Sequence, residues 1–107
     1  MDIMSLEPNT SLEEYQKFIA EASIARGFAK ETVAEAFTIL VEEVGELAKA
    51  IRKANGQKVD AASMQHNVAD ELGDVLALLL DASNRLGVDL AKAFRDKELK
   101  NQSRTWV

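Results

Sequence analysis

A chain of 107 residues has room for one domain built around one modest core. With 6% aromatics, one proline and five glycines it has little material for a turn-rich β fold, and with no cysteine and a single histidine, His66, it excludes disulfides, thiolate or multi-histidine metal sites, iron–sulfur clusters and cysteine nucleophiles. A net charge of −5 argues against nucleic acid as the main partner, because that binding runs on Lys and Arg; the charge is uneven, +3 on residues 92–107 and −8 on the rest.

The opening MDIMSLEPNTS has neither a basic flank nor an apolar stretch, so residues 1–10 are expected to be flexible and the protein soluble and cytoplasmic, with no membrane association. Gly27, Gly56 and Gly87 fall where apolar periodicity stops and cut the remainder into four helices within one domain, 1–107. The first starts at Ser11, where Ser11-Leu12-Glu13-Glu14 fits a capping box, buries Leu12, Tyr15, Phe18, Ile19 and Ala22, and ends near Arg26. In the second, Val33, Phe37, Leu40, Val44, Leu47 and Ile51 alternate at spacings of four and three, a seam suited to a near-parallel neighbour. Residues 56–65 read as a loop into a third helix that starts between 61 and 67 and runs to about Leu86. Its run VLALLL at 75–80 is too short for a membrane span, yet it covers most of the helix circumference, so a homo-oligomer is expected to complete the bundle. Asp89 caps a fourth helix over 90–104, with Leu90, Ala93 and Phe94 facing inward.

The other two glycines, Gly45 and Gly73, stand inside helices, where each costs roughly 1 kcal/mol relative to alanine. They sit at matching places in an internal repeat: Glu42-Glu43-Val44-Gly45-Glu46-Leu47 and Asp70-Glu71-Leu72-Gly73-Asp74-Val75, offset by 28 residues. Glycine at both places is expected to let the two helices approach and bring the acids together. A helical wheel puts Glu43 and Glu46 beside Ala36, Ile39 and Ala50, and Glu71 and Asp74 beside Leu78 and Ala82, while Glu42, Asp70 and Asp81 lie toward polar faces. Four carboxylates brought together need a cation or must protonate, and an all-oxygen set selects Mg²⁺, with Mn²⁺ able to substitute. The competing reading is a pair of solvated faces laced by Glu46–Lys49 and Asp81–Arg85 ion pairs. A di-iron carboxylate bundle is disfavoured because it requires Glu-x-x-His on two helices and His66 has no acid three residues ahead of it.

Glu42-Glu43-x-x-Glu46, then 24 residues, then Glu71-x-x-Asp74 resembles the EExxE…ExxD signature of the MazG-type nucleoside triphosphate pyrophosphohydrolases, supported by LVEEVGELAKAI and VADELGDVLALLLDASNRLGVDLAKAF. The resemblance spans about residues 33–104. It implies an all-α, four-helix, MazG-like fold, a homodimer or homotetramer, and hydrolysis of (deoxy)nucleoside triphosphates to the monophosphate and pyrophosphate, in keeping with house-cleaning of the nucleotide pool. By position it makes Glu43, Glu46, Glu71 and Asp74 the Mg²⁺ ligands and gives Glu42 a supporting role in orienting water. Lys97, Lys100, Asn101 and Arg104 recur at helical spacing in the basic tail and can grip phosphate oxygens; the resemblance favours Lys97 and Asn101, while Lys100 and Arg104 also suit simple placement at a helix C-terminus.

Base recognition is not encoded in the paired motif. Phe18, Phe28, Phe37, Trp106 and His66 are possible base contacts, although Phe18 and Phe37 read as core and His66 as a loop residue. Two alternatives stay open: a non-catalytic helical dimerisation or regulatory module, and a phosphoribosyl-ATP pyrophosphohydrolase.

Overall fold

A computed structural model describes residues 6–63 and 67–106. Among them are four helices, α1 (Leu12–Ala25), α2 (Val33–Ala54), α3 (Val68–Arg85) and α4 (Leu90–Gln102), a single 3-10 turn at Ala61–Ser63, and no strand. No helix among these residues is long and apolar enough to cross a membrane. His66 and residues 1–5 lie outside the described residues.

Each helix begins on a side chain that accepts a backbone N–H three residues on: Ser11 from Glu14 (3.1 Å), Thr32 from Glu35 (3.1 Å), Asn67 from Asp70 (2.9 Å) and Asp89 from Lys92 (3.1 Å). The full reciprocal capping box closes at Thr32–Glu35, where Glu35 also accepts from the Thr32 N–H; at Ser11 only half of the expected box forms. The first three helices end two residues before Gly27, Gly56 and Gly87, whose φ angles of +86°, +78° and +68° turn the chain out of the helix. Helix α4 stops at Gln102, two residues earlier than the sequence reading.

The backbone of the fold is an antiparallel α2–α3 hairpin; α1 packs on α3, and α4 packs on α1. Gln16, buried in α1, fixes the α3–α4 turn: its amide donates to the Val88 carbonyl at 2.7 Å and accepts the Leu90 N–H at 3.0 Å, while Asn84 donates to the Gln16 carbonyl at 3.0 Å.

Three sequence expectations change. The α2 residues buried against the rest of the chain are Ala36, Leu40 and Ala50, whereas Val33, Phe37, Val44 and Ile51 of the anticipated seam are exposed, Phe37 by 58%. Leu72 (53% exposed), Leu76 and Leu79 on α3, and Leu86 just after it, are uncovered as well. Wheel geometry puts both sets on the same side of the hairpin, as one apolar face. Phe94 is 63% exposed rather than inward, because α4 touches only α1 to any extent and its far side has no neighbour. Gly45 and Gly73 do not mediate the α2–α3 contact: a methyl group added at either would meet nothing within 4 Å.

The chain is correspondingly open. Its radius of gyration is 16.2 Å, where a compact chain of this length has about 13 Å. Its accessible surface is 7839 Å², roughly 1,900 Å² above the ~5,900 Å² typical of a compact monomer of this mass.

Candidate functional site

The acids of the internal repeat meet across the hairpin. Glu43 on α2 lies opposite the first two turns of α3, where Glu71 and Asp74 stand on successive turns, and one carboxylate oxygen from each of the three lies within 4.8 Å of the others. Burial is graded. Glu71 is 5% exposed, Glu43 is half-buried, and Asp74 opens to solvent, so the cluster has a closed inner end and an accessible outer one. Glu46, one turn further along α2, stands outside this group of three but is half-buried beside it, and its Oε2 atom, like that of Glu71, is shielded from solvent. Glu42 is exposed, as its wheel position indicated.

The electrostatic consequence falls on Glu43, whose pKa is pushed up from 4.5 to about 7, first by a hydrogen bond with Glu71, then by burial, then by the negative charges of Glu71, Asp74 and Glu46. A shared proton between Glu43 and Glu71 is what a crowded carboxylate cluster adopts when nothing positive neutralises it. A hard divalent cation would replace that proton, and the three oxygens supply the donor chemistry that Mg²⁺ or Mn²⁺ prefers.

Asp81 and Lys49 differ from the sequence reading. Asp81 is buried, not on a polar face, and pairs with Arg85 at 2.8 Å, as the i,i+4 spacing indicated. Lys49 approaches Asp60 at 4.0 Å. The basic residues of α4 are not assembled with the acids through helix packing, since α4 rests on α1. Lys97, Lys100 and Arg104 are exposed and Asn101 is half-buried; Asn101 donates to Glu98 at 3.2 Å, and Arg104 lies 4.6 Å over the Trp106 ring.

Next to the acids a cleft of about 120 Å³ opens between α1, α2 and the start of α3's second half. Ile19, Ala22, Ile39, Ala77 and Leu78 give it apolar walls, and Ser23, Arg26, Phe28, Glu31 and Asp81 complete the lining. Ile39 is one helical turn from Glu43, and Leu78 is one turn from Asp74. Sequence reasoning identified Phe28 as a possible base contact but missed the cleft, whose lining comes from three helices and the α1–α2 connection and has no linear signature. It also missed Gln16, which looks like an interruption of an apolar face until its partners, 68 to 74 residues away, are placed.

A family profile described as "MazG nucleotide pyrophosphohydrolase domain" matches residues 31–106. Crystal structures of iMazG from Vibrio DAT 722 superpose on the chain in two forms. The C-terminally tagged form is 35% identical, with a TM-score of 0.67 over 87% of this chain and 99% of that one. The N-terminally tagged form is 32% identical, with a TM-score of 0.64 over 87% and 95%. No curated protein matches the chain. The profile takes in both halves of the acidic repeat and the whole of α2, α3 and α4, and the superposition supports the same helical arrangement, so the chain belongs to the MazG family of nucleotide pyrophosphohydrolases.

Proposed function

We propose that this protein is a Mg²⁺-dependent hydrolase that converts (deoxy)nucleoside triphosphates to the monophosphate and pyrophosphate, as a house-cleaning activity on the nucleotide pool. The observation that carries the reading is the convergence of Glu43, Glu71 and Asp74 oxygens within 4.8 Å on two antiparallel helices. Glu43, Glu71 and Asp74 would hold the metal, with Glu46 alongside. When bound, Mg²⁺ supplies charge neutralisation for the triphosphate and polarisation of the phosphoryl group under attack.

The residues of the chain do the rest. Buried Glu71 anchors the inner end of the cluster, and exposed Asp74 faces the side from which a triphosphate can enter. Glu46, beside the three but outside them, is the carboxylate we assign to accept the proton of the attacking water, with Glu42 orienting that water from the solvent side. The apolar cleft one turn away takes the base, because the α-phosphorus and the base of a nucleotide are separated by about the pitch of one helical turn. Lys97 and Asn101, with Lys100 and Arg104, bind the phosphate oxygens.

The exposed α2–α3 face is covered in this reading by a second copy of the chain, giving a homodimer or homotetramer. The surplus of roughly 1,900 Å² exceeds the ~800 Å² per partner of a standard interface. Assembly also offers a route for one copy's α4 to reach another copy's acids. The test is a panel of standard and modified nucleoside triphosphates with Mg²⁺, read as pyrophosphate release. Turnover is expected for at least one of them and is expected to vanish in Glu43→Gln. Release from none of them by the unaltered protein refutes the reading and favours a non-catalytic module.

A further inference from the structure

Part of the cleft's lining is not helical: residues 26–32 join α1 to α2, and Arg26, Phe28 and Glu31 from this connection line the cleft together with Ile39 and Leu78. The connection's own bonds are local, Phe28 N–H to the Ser23 carbonyl at 2.9 Å and Glu31 N–H to the Phe28 carbonyl at 3.2 Å. What ties it to the hairpin is Arg85, from the last turn of α3. Its guanidinium donates to the Phe28 carbonyl at 2.6 Å, to the Glu31 carbonyl, to Ser23 Oγ at 3.2 Å and to Asp81 Oδ2 at 2.8 Å, and the Glu31 carboxylate lies 3.9 Å away. The side chain is 11% exposed.

A buried guanidinium is a rigid planar fork, and its donors cannot follow the carbonyls if the connection shifts. Asp81 holds the fork from α3, and the Phe28 and Glu31 carbonyls are held by it, so this side chain clamps the connection that walls the cleft to the end of α3. Nothing in the arrangement touches the acidic cluster.

We propose that Arg85 is the specificity-determining positioning residue of the nucleotide site: it fixes the wall that the base meets and thereby decides which base fits. The inference rests on the reading that the cleft takes the base of a nucleotide. Lysine at this position keeps the charge and a contact with Asp81 but loses the fork, and Phe28→Ala alters the same wall while leaving the carbonyl that Arg85 holds.

The test titrates α,β-methylene analogues of the nucleoside triphosphates, differing in base, and inorganic tripolyphosphate into the Mn²⁺-loaded protein. Arg85→Lys and Phe28→Ala are each expected to lose at least about tenfold in affinity for the best-bound analogue and to bind the different bases within about twofold of one another, while tripolyphosphate binds as to the unaltered protein. A general structural defect would weaken tripolyphosphate equally. Base preference unchanged in the variants, absent from the unaltered protein, or lost together with tripolyphosphate binding overturns the proposal. If Arg85→Lys does not fold by circular dichroism, Phe28→Ala decides. Because the readout is binding, failure of the unaltered protein to release pyrophosphate would count against the catalytic reading and leave this comparison intact.

Discussion

Replacing Glu71 by Gln separates the two roles of the acidic cluster, as a source of repulsion and as a receptacle for a cation. In the unfolded chain Glu43 titrates near 4.5, and in the folded chain near 7. Below about pH 4.5 both states hold the proton and no penalty arises. Between 4.5 and 7 the folded state keeps a proton that the unfolded state releases, so stability falls as pH rises, and above 7 the full cost is present. The rise corresponds to a ceiling of about 3 kcal/mol, which solvent at half-buried Glu43 screens to about 1–2 kcal/mol. Glu71→Gln removes the carboxyl whose hydrogen bond with Glu43 does most to raise its pKa, and with it one of the three repelling charges. At pH 8 in EDTA the variant is therefore expected to be more stable than the parent by about 1 kcal/mol, with the gain shrinking toward pH 5. With Mg²⁺ at a hundred times its dissociation constant the parent gains about 2.7 kcal/mol and the variant little, so the order reverses. Urea denaturation at fixed protein concentration, at both pH values and with EDTA or Mg²⁺, measures all of this. A variant less stable than the parent at pH 8 in EDTA, or equal stabilisation of both by Mg²⁺, refutes the reasoning.

Two further outcomes follow from packing. Phe37→Glu combined with Leu76→Glu places charge on both helices of the exposed apolar face and is expected to give a monomer in sedimentation equilibrium at micromolar concentration; an oligomer of unchanged size would show that copies associate elsewhere. Gln16→Ala removes the side-chain partner of the part-buried Val88 carbonyl and Leu90 N–H and is expected to cost about 1–2 kcal/mol in urea denaturation, with a loss below ~0.5 kcal/mol showing that the α3–α4 turn is held by other means.

The helices were legible because their signals are local. Ser11, Asp89 and the three terminal glycines act within a few residues of themselves, and all five stand where the sequence places them. The acids were legible because duplication at a fixed offset carries more information than one ExxE, and three of the four expected ligands converge. Periodicity, however, reports which face of a helix is apolar and not which chain covers it, so the α2 seam could not be assigned to an intrachain or interchain contact. The glycine argument failed for a related reason: a missing Cβ marks a possible close approach without naming the approaching group, and within one chain Gly45 and Gly73 have none. Arg85 was read as an ordinary i,i+4 partner of Asp81 because its other partners, Ser23, Phe28 and Glu31, become neighbours only after α1 folds back.

Glu43 and Glu71 stand 28 residues apart in the chain and belong to different helices. A cation shared between them is thus a removable cross-link that closes a loop through the whole α2–α3 connection, and it restricts the denatured ensemble only where that ensemble can gather the same carboxylates. Without it, mutual repulsion acts directly on the start of α3. Chelation should then be felt first as faster amide exchange at the N-terminal turns of α3, before any loss of the hairpin's other end, where Arg85 ties three segments together.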